Sequence, residues 1–288
     1  MIVIVLLTLE YLGRRSRKFH EKYSGASYTP TQTVSGVKNS LLFLICLIPL
    51  SLGFIIPVSI LLNFVIKGYS IINFLEIFQI TLSSISLAFI SSSFIMLLSL
   101  LMIIVGAYKS NNFQKILIFF ASSGYAFPGT ILAVGIVVFV GWLNDLIYFR
   151  MSYAVGGFII LLFAYSIRFL AVGNGAITSG ISRIHPNLLD ASRTMGVSFF
   201  KSIRKIILPL LYTNLLVGGI LVFVDILKEL PITLLLRPFN FETLATYVYQ
   251  YASDEMLEES AFAALIIVIA GLGPVIFLNR TITKSIKN

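Results

Sequence analysis

Long apolar segments separated by short polar ones dominate the chain and predict six membrane-spanning helices. Each is long enough to cross a bilayer, which takes about 20 apolar residues. The segments cover residues 40–66, 78–108, 116–142, 153–172, 210–236 and 261–278. Prolines within them are tolerated because neighbouring groups satisfy the freed backbone. Tyr125, Pro128 and Gly129 in the third segment are expected to serve helix packing. The alternative is that they form a kink in the segment near the membrane midplane. The pattern predicts an all-α, polytopic membrane protein.

Composition supports this class, because 58% of the 288 residues are hydrophobic and only 11% are charged. A soluble domain averages about 25% charged residues. The net charge of +9 is typical of a nucleic-acid-binding protein, but here the basic residues lie in the loops between apolar segments. We therefore expect a lipid membrane and no nucleic acid as partner. The single cysteine, Cys46, lies in an apolar segment, where packing is its simplest role.

The distribution of Lys and Arg predicts the orientation of the chain in the membrane. Seventeen of the 21 basic residues fall in the segments 10–39, 109–115, 168–209 and 280–287, and this count includes Arg168. Six spans place all four segments on one side. Because basic residues favour the cytoplasmic side, we expect both termini and these loops in the cytoplasm, in a multi-pass protein of the inner (plasma) membrane.

Three regions follow from the same pattern. Residues 1–39 begin with a short apolar stretch, Met1–Leu9, which is expected to be the tail of a preceding helix, and continue as a cytoplasmic linker. Residues 40–280 are expected to form the transmembrane domain, with a long cytoplasmic loop at 173–209. Residues 281–288 are expected to form a cytoplasmic tail.

The long loop ends in a polar, basic stretch, DASRTMGVSFFKSIRKIILP, at residues 190–209. Four apolar residues recur in it at helical spacing: Met195, Phe199, Ile203 and Ile206. Gly196 divides the stretch into two short helices, and Ser198 is placed to cap the second. Composition alone would also fit an ordinary basic amphipathic loop on the membrane surface. The spacing of the remaining residues decides between the two interpretations.

This stretch resembles the EAA loop of ABC-importer permeases, whose pattern is Glu-Ala-Ala, three residues, Gly, nine residues, Ile, any residue, Leu, Pro. The matching residues are Asp190, Ala191, Ser192, Gly196, Ile206, Leu208 and Pro209, with Asp and Ser as mild departures. The resemblance implies that the loop docks on an ATP-hydrolysing subunit, and that Lys201, Arg204 and Lys205 hold it at the membrane face or touch that subunit. ATP would be bound by the partner, and no cofactor by this chain.

A wider resemblance, to permeases of ferric-iron ABC importers, covers roughly residues 36–280 and includes the stretches SSGYAFPGTILAVG and LVFVDILKELPITLLLRPFNFETLA. In that family a fused chain carries two repeats of about six helices, and this chain is similar to the second. The implied partners are an ABC ATPase, a second permease half (a second copy or a separate first-half chain) and a substrate-binding protein. Ferric iron is the expected substrate, with thiamine, polyamines or another small solute as alternatives.

Charged residues in the fifth apolar segment are candidates for a translocation path or gate. Asp225, Lys228 and Glu229 lie at helical spacing toward the outer half of the membrane, and Pro231 is expected to break the helix just after them. Ionisable residues inside a span usually face a bundle interior or a water-filled cavity. A self-neutralised structural group near the interface explains the same residues equally well, and the sequence leaves both readings open.

The external loop 237–259 is the expected contact for the binding protein, with Arg237, Asn240 and Glu242 as candidate residues. No phosphate-binding loop, metal-ligand spacing or Ser-His-Asp set occurs in the sequence, so we expect a transport subunit and neither an enzyme nor a metal site. Two alternatives of another class remain. One is a secondary transporter with Asp225 and Glu229 as proton sites, and the other is an inactive fragment of a split gene.

Overall fold

The computed structural model describes residues 36–68, 72–108, 112–147, 153–184 and 187–287. Throughout these ranges the regular structure is helical, as the apolar pattern predicts. The chain divides into two compact units, Met1–Pro57 and Val58–Asn288. The expected helix tail at Met1–Leu9 and nearly all of the linker after it lie outside the described residues.

The helices are numbered in chain order through the described ranges. They are α1 (Val37–Leu50), α2 (Ile56–Lys67), α3 (Phe74–Tyr108), α4 (Asn112–Ser123), α5 (Gly129–Ile147), α6 (Tyr153–Ile181), α7 (Asn187–Thr194), α8 (Phe199–Ser202), α9 (Leu208–Leu227), α10 (Pro231–Leu236), α11 (Leu244–Ser253) and α12 (Leu257–Lys287). Wider π-helical turns at Ser51–Ile55 and Ile203–Ile207 join α1 to α2 and α8 to α9. A short 3₁₀ turn, Gly124–Ala126, follows α4.

In the described ranges, five helices are long and apolar enough to cross a membrane. They are Lys38–Lys67, Phe74–Gly106, Gly157–Ile181, Phe199–Leu227 and Leu257–Ile276. These match the first, second, fourth, fifth and sixth predicted spans. The structure moves some of the bounds, because α6 continues to Ile181 and the fifth span begins at Phe199. The non-helical part of the loop predicted at 173–209 is correspondingly short.

The third apolar segment differs from the straight span that its length suggests. It consists of two helices, Asn112–Ala126 and Gly129–Asn144, which meet at an angle of 117°. Phe127 is extended between them (φ −85°, ψ 137°), as expected for a residue that precedes proline. The segment is therefore a broken span or a re-entrant loop, and the kink at Pro128 is the correct alternative.

The core forms where α3, α6 and α9 pack against one another. Its largest fully buried side chains include Ile95 of α3, Tyr165 and Ile177 of α6, and Leu211 and Val222 of α9. Much of the remaining apolar surface of these helices is exposed in the isolated chain. This distribution is expected for a membrane protein, because lipid tails are as apolar as leucine and leave small residues and close packing to select the helix contacts.

Small residues allow the closest helix approaches in this core. A Cβ on Gly173 would collide with Ser99, and a Cβ on Gly218 would lie 2.7 Å from the Cβ of Ala176. A Cβ on Gly180 would lie 2.6 Å from a methyl group of Leu211. The glycine-rich sequence GNGAITSG (173–180) is thus part of α6, and Gly173 and Gly180 within it allow close helix packing.

A smaller cluster fixes α11 beside the start of the second span. Leu244 and Tyr247 are buried against Ile77, Ile80 and Ala263. The N–H of Leu244 donates to Ser84 Oγ at 2.7 Å. Burial raises the pKa of the Tyr247 phenol above its ordinary value. Helix α11 is therefore held firmly at the end of the bundle where α9 stops.

Candidate functional site

The stretch 190–209 forms a hairpin of two helical arms. The first arm is α7 (Asn187–Thr194), and the second begins at Phe199. Between them Gly196 has a φ of +73°, and the Val197 N–H donates to the Ser192 carbonyl at 3.0 Å. This is the Schellman arrangement that ends a helix, in which the residue with positive φ is usually glycine. The EAA-like sequence therefore encodes a sharp, locally determined turn.

A hydrogen bond between two buried hydroxyl groups joins the arms. Ser192 Oγ and Ser202 Oγ are 2.9 Å apart, and both residues are buried. Ser198 occupies the N-cap position of α8, but its side chain does not cap the helix. Its carbonyl instead accepts from the N–H of Ser202 at 3.0 Å. The predicted capping role of the Ser198 side chain is therefore wrong, while the predicted helix start is correct.

The tip of the hairpin presents apolar side chains to the outside. Met195 is 79% exposed and Phe200 is 81% exposed. The ring of Phe199 makes an edge-to-face contact with that of Phe200, with centroids 5.6 Å apart. Gly196 separates Met195 from the face that Phe199, Ile203 and Ile206 form further along, so the four residues do not share one continuous helix. We call Met195, Phe199 and Phe200 the apolar tip.

The other predicted residues of the loop lie along the two arms. Ala191 and Pro209 are exposed, and Ile206 and Leu208 are half-buried. Asp190 belongs to α7, and its side chain lies outside the described residues. Basic side chains follow the apolar tip on the second arm and are all exposed: Lys201, Arg204 and Lys205. The hairpin thus presents an apolar end next to a positively charged flank.

The second arm is continuous with a membrane span. One helix runs from Phe199 to Leu227, a distance of roughly 40 Å at ~1.5 Å per residue. Pro209 lacks an N–H and would crowd the carbonyl one turn before it in a regular α-helix. The wider turn Ile203–Ile207 lies directly before it, which explains how the helix continues through the proline. The second arm of the hairpin and the fifth span are therefore parts of one continuous helix.

Two ion pairs lie at the far end of this helix. Lys228 Nζ is 2.8 Å from Asp225 Oδ1, and the Lys228 side chain is 63% exposed. Helix α9 ends at Leu227, so Glu229 leaves the face that it was predicted to share with Asp225. Glu229 instead pairs with Arg168 of α6, whose Nε is 3.4 Å from Glu229 Oε2. Pro231 begins the next helix, as its fixed φ favours.

Arg168 and Glu229 also contact two interrupted stretches of backbone. Arg168 Nη1 donates to the carbonyl of Phe127 at 3.3 Å, at the break in the third segment. Glu229 Oε1 accepts from the N–H of Ile232 at 3.4 Å, at the break after the fifth. A Cβ on Gly129 would lie 2.7 Å from Arg168 Nη1 and 2.9 Å from Glu229 Oε1, so glycine leaves the space that the pair occupies.

The external loop after α10 is held by its own polar residues. Arg237 Nη1 donates to Glu242 Oε1 at 2.9 Å, to the Phe241 carbonyl at 3.3 Å and to Thr246 Oγ1 at 3.3 Å. Arg237 and Glu242, two of the predicted contacts, are thus engaged within the loop. Asn240 has a φ of +58°, and its neighbour Phe239 is 91% exposed. Phe239 is therefore the most exposed large apolar side chain of the loop.

Metal-binding groups are not gathered in the described part of the chain: no three His, Cys, Asp or Glu side chains there lie close enough together to hold an ion.

Residues 103–288 match the family model described as "Binding-protein-dependent transport system inner membrane component". The matched region includes the hairpin, both ion pairs and the external loop. The chain belongs to this family. It is thus an inner membrane component of a transport system, and its apolar helices are those of a multi-pass membrane protein.

One relative of this inner membrane component is the "Fe(3+)-transport system permease protein FbpB 2" of Haemophilus influenzae. The two are 25% identical over 157 residues, which is 54% of this chain and 29% of that protein. The chain therefore matches less than a third of the relative's length.

A solved structure confirms the fold of this inner membrane component. It is that of a bacterial ABC transporter involved in the import of the acidic polysaccharide alginate. The TM-score is 0.66 at 16% identity, and the match covers 85% of this chain and 95% of that one. The fold is therefore that of an ABC-importer permease, as the sequence resemblance implied.

Arg168 lies within α6 at this site, whereas the distribution of basic residues assigns it to the cytoplasmic loop. That loop therefore contains one basic residue fewer than expected. The signal was present, since Arg168 lies within the apolar segment predicted at 153–172, and an ionisable residue inside a span has a partner as a rule. The sequence did not indicate that the partner would be Glu229, 61 positions away along the chain.

Proposed function

We propose that this chain is the membrane-spanning permease subunit of an ATP-driven importer, and that its hairpin couples ATP hydrolysis by a separate subunit to substrate movement. The observation that carries the proposal is the apolar tip on a hairpin whose second arm runs without interruption into a membrane span. Exposed aromatic and methionine side chains of this kind are enriched in protein interfaces. A displacement of the tip would be transmitted along the helix.

The hairpin's partner is an ABC ATPase, which binds and hydrolyses the ATP. Asp190, Ala191, Ser192 and Gly196 shape the turn, and Lys201, Arg204 and Lys205 hold the loop at the membrane face or contact the ATPase. With the basic loops on the ATPase side, both termini are cytoplasmic. A second permease half, either another copy or a separate first-half chain, completes the pathway, because one hairpin serves one ATPase subunit.

The substrate that we propose is ferric iron. The support is the resemblance of the stretches SSGYAFPGTILAVG and LVFVDILKELPITLLLRPFNFETLA to ferric-iron permeases, together with the similarity to an Fe(3+) permease over 157 residues. Thiamine, polyamines and other small solutes are the alternatives. The wall or gate of the translocation pathway includes four residues at the end of the fifth span: Asp225, Lys228, Glu229 and Pro231. A substrate-binding protein delivers the cargo to the external loop, where Arg237 and Glu242 hold Phe239 and Asn240 in position.

The test is a mild-detergent pull-down of the tagged chain from its native membrane, followed by mass spectrometry. We expect an ABC ATPase and a second permease chain, or an ATPase with a homodimer of this chain. Uptake of radiolabelled ferric iron, with thiamine and polyamines as competitors, then tests the substrate. Recovery of the chain without any ATPase would contradict the proposal and favour a secondary transporter or an inactive fragment.

The contacts of Glu229 count against the secondary transporter. Its carboxylate is buried beside the guanidinium of Arg168 and accepts from a backbone N–H. A proton-carrying carboxylate has to reach water on each side of the membrane in turn, and a compensated, buried one is poorly placed for that exchange.

A further inference from the structure

The Arg168–Glu229 pair lies where three parts of the bundle meet. Arg168 belongs to the middle of α6, Glu229 lies two residues after the end of α9, and Gly129 begins the second half of the broken third segment. The Cβ geometry at Gly129 places all three within van der Waals reach. Among the side chains that the structure describes, no other ion pair joins residues distant in sequence; the remaining two join residues three and five positions apart.

The two members of the ion pair cannot exchange positions, because the backbone groups next to them differ. On the side of the third segment, the neighbouring group is the carbonyl oxygen of Phe127, which needs a donor. On the side of α10, it is the N–H of Ile232, which needs an acceptor. An unsatisfied backbone group is costly in the bilayer interior. Arg168 therefore supplies the donor for the Phe127 carbonyl, and Glu229 supplies the acceptor for the Ile232 N–H. Neither side chain could make the other's hydrogen bond.

Further contacts connect Glu229 to both neighbouring helices. The Thr233 hydroxyl donates to the Glu229 carbonyl at 2.7 Å, and the same hydroxyl is hydrogen-bonded to the buried Tyr165 of α6. Tyr165 is one turn before Arg168 on that helix. Glu229 is thus fixed through its main chain and its side chain to α6, and it directly follows the helix that begins at the apolar tip.

We propose that Arg168 and Glu229 form a polar joint that makes the break in the third segment and the break after α9 move together, and that the coupling of ATP hydrolysis to transport passes through it. The inference rests on the proposed function. Movement of the hairpin displaces the far end of the helix Phe199–Leu227. Through Glu229 and Arg168 that displacement reaches Phe127 and Gly129 of the third segment. This segment is not adjacent in sequence to the moving helix, so the ion pair provides the contact between them.

The experiment measures the coupling ratio, defined as ATPase activity with saturating binding protein divided by activity without it, in the purified complex recovered by the pull-down. We expect Glu229→Gln and Arg168→Gln to lower this ratio by about tenfold, toward one. Gly129→Ala should act in the same direction without removing a charge, because the new methyl group displaces both partners. Arg168→Lys should be intermediate, since an ammonium group cannot reach the Phe127 carbonyl and Glu229 with the same geometry.

The exchanged variant R168E/E229R is the decisive one. It restores an ion pair, but it places a carboxylate against the Phe127 carbonyl and a guanidinium against the Ile232 N–H. We expect it to couple no better than the single variants. The comparison is D225K/K228D, whose exchanged pair lies at a partly exposed helix end. Because Asp225 and Lys228 also belong to the proposed pathway, the coupling ratio and not the uptake is compared, and the exchange should recover most of the ratio that D225K alone loses.

Three results would overturn the inference. The first is a normal coupling ratio in R168E/E229R, which would reduce the pair to simple charge neutralisation. The second is a normal ratio in Gly129→Ala and Arg168→Lys complexes whose thermal stability is lowered, which would make the pair purely structural. The third is a wild-type complex without ATPase, which would remove the proposed function and the inference with it.

Discussion

Ser192 and Ser202, ten positions apart, face each other across the hairpin with their hydroxyl oxygens 2.9 Å apart. Ser192 stands where the EAA pattern has its second alanine. The departure from the pattern is compensated by a serine on the opposite arm, so that both hydroxyl groups are satisfied although both residues are buried. The arms are therefore fixed at the turn by Gly196 and at their sides by this hydrogen bond.

Replacing Gly196 should separate transport from hydrolysis. At its φ of +73° a residue with a Cβ is strained by about 1–2 kcal/mol, and a β-branched one by more. No atom lies within 4 Å of the position that a Cβ would take, so the strain is conformational and not a clash. We expect Gly196→Val to insert normally in the membrane but to lose substrate uptake.

Asparagine is the control for this position, because it tolerates the left-handed conformation better than other residues with side chains. Gly196→Asn should retain most of the uptake. Normal uptake by Gly196→Val, at equal membrane levels, would contradict the coupling role of the turn.

Truncating the apolar tip should release the ATPase. Met195 and Phe200 are about four-fifths exposed in the isolated chain, and aromatic anchors at interface centres commonly contribute 2 kcal/mol or more, roughly a thirtyfold change in affinity. We expect Phe200→Ala to lower ATPase recovery in the pull-down, and M195A/F200A to abolish it. The measurement is the ratio of ATPase to permease chain in the eluate. Unchanged recovery with the double variant would show that the ATPase binds elsewhere.

Phe239 should matter to a different partner. It is 91% exposed on a loop that Arg237 holds in shape, at the opposite end of the fifth span from the apolar tip. We expect Phe239→Ala to weaken binding-protein stimulation of the ATPase and to leave ATPase recovery unchanged, the reverse of Phe200→Ala. Titration with the binding protein measures the effect as a shift in half-maximal concentration. An unshifted titration would remove Phe239 from the contact.

Gly124 should be among the least replaceable residues of the bundle. A Cβ there would overlap the carbonyl oxygen of Ile167, which is backbone and cannot rotate away. Overpacking of this kind costs about 1–3 kcal/mol when side chains can adjust, and the cost should lie at or above the upper end here. Gly135, in α5, is the matched control because nothing lies within 4 Å of its Cβ position. Thermal unfolding in detergent should show a lower Tm for Gly124→Ala and an unchanged or higher Tm for Gly135→Ala.

The sequence by itself determined the class of the protein and most of its spans, since about 20 apolar residues in a row have no stable place in water. It also determined the hairpin, because a Schellman turn depends on neighbouring residues and requires its glycine locally. The same local logic predicted a break close to Pro231, and Pro231 does begin a new helix, but the preceding helix already ends at Leu227.

Tertiary structure decided the rest. The sequence contained Arg168, Glu229 and Gly129, but no periodicity relates residues on three separate segments, and helical spacing placed Glu229 on the same face as Asp225. The early end of α9 at Leu227 turned that carboxylate away from Asp225. The 117° break at Pro128 brought the Phe127 carbonyl to Arg168. Which charges meet inside a membrane bundle depends on where helices stop and how closely their backbones pack, and both are properties of the assembled core.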